Sequence, residues 1–172
     1  DTTPSFTVGY QNYTETINPA APASTPVLSS LLRDCLGQNP ALAASGSLGA
    51  TPVLTSKFQR TASANELACI GAGGTSQPVI GNVTDMQVRY VRQLPNSTNL
   101  QYLDASGVIS GGGGIWSNVY GVEVCLELTG TEPAPTASAT YTNCSGTSTS
   151  YGDRIKMVFR NVYQIRSQGQ TS

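Results

Sequence analysis

Hydrophobic positions in this chain recur mostly at every second residue, the period of a β-strand with one face covered. Phe6, Val8 and Tyr10 alternate with small or polar residues. Residues 53–60 and 66–70 form two apolar-rich runs joined by 61–65, the pattern of a hairpin. Residues 77–80 make a short strand, with Pro78 placed where only an edge or a strand start tolerates it. Across 83–91, Thr84, Met86, Val88 and Tyr90 fall on one face and Asp85, Gln87 and Arg89 on the other. Across 119–128, Val122, Val124, Leu126 and Leu128 oppose Glu123, Cys125 and Glu127. Ile155, Met157 and Phe159 repeat the alternation near the C-terminus. The pattern therefore places Met86, Val88, Tyr90, Val122, Val124, Leu126, Ile155, Met157 and Phe159 in the core.

Only one stretch reads as a helix. Over 26–36, Ser24 or Thr25 supplies a cap, Pro26 suits the first turn and Gly37 suits the end, with Leu28, Leu31 and Leu32 on one face. The segments 18–25 and 39–51 are rich in Ala, Pro, Gly and Ser and read as loops. Residues 129–153, rich in Pro, Thr, Ser and Gly, form a long excursion between two strands. The fold class expected is α+β, mostly antiparallel β, in a single domain over 1–172 with no internal repeat.

Composition narrows the function more than the fold. The 172 residues carry a net charge of −1, and 11% are charged. No basic patch offers itself to nucleic acid or to an anionic membrane. No run approaches the roughly 20 apolar residues of a membrane helix. Histidine is absent, which removes Ser-His-Asp and Cys-His pairs and every His-bearing zinc site. The four cysteines, Cys35, Cys69, Cys125 and Cys144, contain no C-x-x-C pair, so an even count in a Ser/Thr-rich chain favours disulfides over a zinc ribbon. Disulfides place the chain outside the cytoplasm.

The remaining candidates for chemistry have blander readings. The runs Gly111–Gly114 and Gly71-Ala72-Gly73-Gly74 lack the Lys and Ser/Thr of a phosphate loop and read as turns, so no cofactor site is expected. Glu123 and Glu127 share a strand face, and with Asp104, Glu132 and Asp153 they read as solvated acids rather than a paired general acid and base. No calcium-loop spacing occurs, and no metal site is expected. Trp116, the one tryptophan, reads as a buried anchor ahead of a sugar-stacking platform. Sequons at Asn12, Asn82, Asn96 and Asn143 read as chance in such a composition.

The order of the motifs resembles the minor type IV pilins of the PilW family, which are related to the J-type pseudopilins of type II secretion. The matching pieces are Phe6-Thr7-Val8-Gly9-Tyr10, Asp34-Cys35-Leu36-Gly37, Asn65-Glu66-Leu67-Ala68-Cys69, the run from Gln77 to Tyr90, the run from Trp116 to Leu126, and the ending from Val158 to Arg166. The resemblance covers most of the chain, through order and spacing rather than any one motif. It departs in three places. The family's apolar N-terminal helix and its early glutamate do not precede Asp1, so a fragment is expected. The strand after the tryptophan is less basic. The segment around Cys144 looks like an addition.

The resemblance implies a pilin-like globular head that primes pilus assembly or sits at the tip. Its partners would be other minor and major pilins and a tip adhesin. It would contact the membrane only through the missing helix, pass through the inner membrane and periplasm, and end on the cell surface. It implies a structural role rather than a catalytic one, and the sequence shows no nucleic-acid partner. The expected disulfides are Cys35–Cys69, which joins two family-like motifs, and Cys125–Cys144, which brackets the long excursion. An extracellular binding or adhesin module is the alternative; a secreted hydrolase fits poorly without histidine or an acid pair. A prepilin leader upstream would mark the first reading and an ordinary signal peptide the second.

Overall fold

A computed structural model of the chain describes residues 4–11, 14–17, 27–30, 32–38, 53–94, 97–110, 116–136 and 138–165. The loops expected over 18–25 and 39–51, the Gly111–Gly114 run, and the sequons at Asn12 and Asn96 lie outside the described residues. The described fold is mostly antiparallel β. Its contacts separate two compact units, one made of 5–61 and 66–80 and the other of 1–4, 62–65 and 81–172.

The first unit holds a four-stranded sheet. Its order is β1 (Ser5–Gln11), β4 (Val53–Thr61), β5 (Glu66–Ile70), β6 (Ser76–Ile80). A separate two-stranded ribbon pairs β2 (Thr14–Ile17) with β3 (Val27–Ser30). Phe6 stands opposite Phe58, and their rings stack with centroids 5.2 Å apart. Leu54 and Ser56 are buried on β4 while Val53 and Thr55 are exposed, the expected alternation. Leu67, Ala68 and Cys69 are buried in succession, so β5 is covered on both faces. All five residues of β6 are exposed, and Pro78 lacks an N–H that an edge position does not need.

The helix expected over 26–36 does not form. Val27–Ser30 is a strand, with Val27 opposite Ile17 and Ser30 opposite Thr14; residues 26 and 31 lie outside the described residues. Further along, the Asp34 carboxylate takes the competing part. Its Oδ1 accepts from Leu36 N and Gln38 N, both at 2.8 Å, which folds 34–38 into a turn instead of a helical one. Gly37 closes that turn at φ 74°, where a side chain would be strained. A disulfide joins Cys35 to Cys69 with Cα atoms 6.2 Å apart, and Cys35 N donates to Ser56 Oγ.

The second unit is built on the sheet β12 (Arg154–Gln164), β9 (Val119–Pro133), β7 (Val83–Gln93), β8 (Leu100–Leu103). The one α-helix among the described residues, α1 (Ala105–Ser110), follows β8 and buries Val108. Asp104 caps it, accepting Gly107 N at 2.6 Å. A ribbon of β10 (Thr140–Thr142) and β11 (Ser148–Ser150) occupies the excursion between β9 and β12. The disulfide Cys125–Cys144, Cα atoms 5.7 Å apart, ties that excursion to β9.

The faces of β9 are the reverse of those the alternation suggests. Val119, Gly121, Glu123, Cys125 and Glu127 are buried, and Val122, Val124, Leu126 and Leu128 are half-buried. The cause is the disulfide. It holds the excursion over the glutamate-bearing face, and cover rather than polarity decides burial. Of the residues assigned to the core, Met86 is buried at 1% exposure, while Val88, Tyr90, Val122, Val124, Leu126 and Ile155 are half-buried. Met157 and Phe159 stand 47% and 55% exposed, so for these two the expectation was wrong. The buried apolar side chains of this unit are Val83, Met86, Val91, Val108 and Val119, with the Cys125 and Cys144 sulfurs.

Candidate functional site

Residues directly opposite on antiparallel strands share a face, so the register defines both sides of the β12-β9-β7-β8 sheet. One side carries three rows. Tyr163, Val122 and Tyr90 form the first; Asn161, Val124 and Val88 the second; Phe159, Leu126 and Met86 the third. Met157 opposite Leu128 extends the set. This face is apolar apart from Asn161, and Met157, Phe159 and Tyr163 show 47%, 55% and 58% of their surface to solvent. Trp116, expected to be buried, is 42% exposed and meets Tyr90 edge-on at 4.9 Å. It lies in a 3-10 turn, Trp116–Asn118, outside the sheet proper, which is why it is not covered.

The other side is charged. Asp85, Gln87 and Arg89 from β7, Glu123 and Glu127 from β9, and Lys156 and Arg160 from β12 are brought to it by the same register. Glu123 and Glu127 are each 7% exposed, not solvated as the sequence suggested. Burying a carboxylate is costly without a partner, and each has a cation. Arg160 Nη1 lies 3.9 Å from Glu123 and Lys156 Nζ 3.7 Å from Glu127. Thr84 Oγ1 donates to Glu127 Oε1 at 3.2 Å. The excursion seals the layer through Arg160 Nη2 to Cys144 O at 2.7 Å and Gln87 Nε2 to Ser145 Oγ at 2.8 Å. Burial, then the Glu127 carboxylate bonded to its hydroxyl, pushes Tyr141 up to about 12. Each glutamate thus lies in the buried layer beside a cation. Asp85 stands opposite Glu127 on this side, but Asp104, Glu132 and Asp153 do not join them: Asp104 is the helix cap, and Glu132 and Asp153 are exposed. The N–H of Gly107 and the Ser106 hydroxyl hold the Asp104 carboxyl below its usual value.

Among the described residues, no group of three or more Asp, Glu, Cys or His side chains is placed to hold a metal, and no helix is long and apolar enough to cross a membrane. The Gly71–Gly74 run is a turn closed by Gly74 N to Gly71 O at 2.9 Å. It does have a second use. A Cβ at Gly71 would overlap the Asp34 carboxylate, and Asp34 Oδ2 accepts Ala72 N at 2.8 Å. The sequon residue Asn143 folds its own turn, its Oδ1 accepting Ser145 N and Thr147 N.

Among the described residues, two surface hollows stand out. One, of about 340 Å³ in the first unit, is lined by Tyr10, Leu32, Leu54 and Phe58 with Arg33 and Ser56 among its polar members. The other, of about 360 Å³ in the second unit, is lined by Asn65, Asn82, Thr84, Thr129, Thr131 and Arg154, with Gly130 between the threonines. Sequence reasoning did not find either. The asparagines were the only visible signal of the second, since both adopt the left-handed conformation, φ 50° and 60°. Comparison of the chain with family models, with curated proteins and with solved structures gives no match.

Proposed function

We propose that the chain is the head of a minor type IV pilin of the PilW kind, a structural subunit of a priming or tip complex rather than an enzyme. The observation that carries this reading is the two-sided character of the β12-β9-β7-β8 sheet. One side is sealed by the disulfide-tied excursion; the other offers an apolar strip in which Met157, Phe159 and Tyr163 are about half exposed. A sheet face of that kind is suited to a further apolar element. In the family that the motif order resembles, the N-terminal helix is such an element. Two disulfides fit an oxidising compartment outside the cytoplasm. Partners would be other pilin heads. Their soluble contacts need not be strong, because anchorage in one membrane raises their effective concentration.

The test is genetic and direct. Deleting the gene in its source cell should reduce surface pili, and the full-length gene should restore them. The same gene carrying Met157→Glu and Phe159→Glu should restore fewer, while its product still accumulates with both disulfides formed. Unchanged piliation in the deletion strain, with the product free in the medium, would overturn the reading in favour of a secreted binding module. The exposed Trp116 beside Tyr90 is the observation that favours that second reading.

A further inference from the structure

The polar hollow of the second unit concentrates backbone irregularity. Its rim holds Asn65 and Asn82, the two non-glycine residues with positive φ among those described. The β7–β9 register shifts between Val83 and Asp85, which places Thr84 in a bulge, and the β12–β9 register shifts between Arg154 and Lys156. Bulges and left-handed non-glycine residues each cost stability, and both gather where side chains must be aimed. Here they are also held firmly. Val83 N donates to Asn65 O at 2.8 Å, and Thr129 N to Asn82 O at 2.9 Å. The hollow is thus preformed.

Its chemistry is narrow. Amides, hydroxyls and one glycine line it, together with the single guanidinium of Arg154 and no carboxylate. Arg154 donates through Nη1 to Thr131 O. It forms no ion pair with an acid among the described residues, and its Nη2 and Nε have no acceptor there. A guanidinium pinned at one nitrogen and open at the others presents a fork to a carboxylate. Asparagine and threonine beside it supply donors and acceptors for hydroxyls. The opening of about 360 Å³ accommodates one sugar ring.

We propose that this hollow binds an acidic sugar, its carboxylate on Arg154 and its hydroxyls on Asn65, Asn82, Thr84 and Thr131, as in a uronate residue of a surface polysaccharide. The site does not depend on the pilin reading and would serve a pilus head or a free module alike.

Backbone amide spectra of the isotopically labelled protein, titrated separately with sodium glucuronate, glucose and sodium acetate, test it. Glucuronate should give saturable shifts centred on the hollow, at affinity about tenfold or more above that for acetate or glucose. Arg154→Gln keeps a donor for Thr131 O but removes the charge, and should weaken glucuronate about tenfold. Thr131→Val leaves the carbonyl that holds Arg154 in place and removes only an exposed hydroxyl. It should weaken glucuronate even if Arg154→Gln fails to fold. Equal response to acetate and glucuronate, shifts away from the hollow, or wild-type affinity in Thr131→Val would overturn the proposal.

Discussion

Asp34 shows how much one side chain decides. Its carboxylate is buried and accepts three backbone N–H groups, from Leu36, Gln38 and Ala72, each at 2.8 Å. Burial by itself would raise its pKa, but the N–H donors of Gln38, Ala72 and Leu36 together outweigh it and hold the carboxyl below the ordinary value. The folded pKa is therefore lower than the unfolded one. The stability Asp34 contributes is fully present above the unfolded pKa and is lost as pH falls through the folded one. Asp34→Asn should cost about 1–3 kcal/mol at neutral pH, because the amide cannot accept all three bonds. It should also flatten the acid limb of the stability curve below about pH 4, where the wild type loses most. Urea unfolding across the acid range measures both, and an unaltered acid limb in the variant would remove Asp34 from its cause. In the sequence, only the end of this segment is legible: Gly37 closes it, although 26–36 reads as a helix rather than a turn. That the same carboxylate also reaches Ala72, 38 residues on, is not legible, because nothing local encodes a contact across that separation.

At the scale of elements, most strands are where the two-residue period puts them. The hairpin of β4 and β5, the edge strand with Pro78, and β7, β9 and β12 follow from alternation alone. Two things do not. The segment before Asp34 carries helix punctuation but pairs as a strand, since two adjacent serines and a competing aspartate weaken the helix. And alternation tells that a strand has two faces, not which is covered. On β9 a covalent tie to Cys144 overrides the ordinary preference and buries Glu123 and Glu127 beside Arg160 and Lys156. Met86 and Met157 make the contrast measurable, since the same pattern assigned both to the core. Met86→Ala should cost about 2–5 kcal/mol. Met157→Ala should change stability by about 0.5 kcal/mol or less. Equal losses in chemical denaturation would mean that the faces of the sheet are not as described. The polar hollow escaped sequence reading for a related reason: its residues come from four separated segments, and their only shared trait is polarity, which every loop has.

For the whole molecule, the two disulfides determine how the chain answers a pull on its ends. A crosslink passes tension directly between the residues it joins, so the segment it encloses stays slack however far the rest is drawn out. With both bonds intact, the 34-residue span closed by Cys35–Cys69 and the 19-residue span closed by Cys125–Cys144 are hidden from the load. An extended chain gains at most about 3.3–3.6 Å per residue. Reduction should therefore lengthen the fully stretched chain by about 110 Å for the first bond and about 60 Å for the second. Single-molecule stretching with and without reductant reads these increments, and Cys144→Ser alone should release only the shorter. Of the excursion that seals the charged face, the part up to Cys144, β10 included, falls within the shielded span, and β11 lies beyond it. Any protein anchored at one end of this chain and tugged at the other would keep that stretch of covering free of direct tension, even after its neighbouring strands had begun to part.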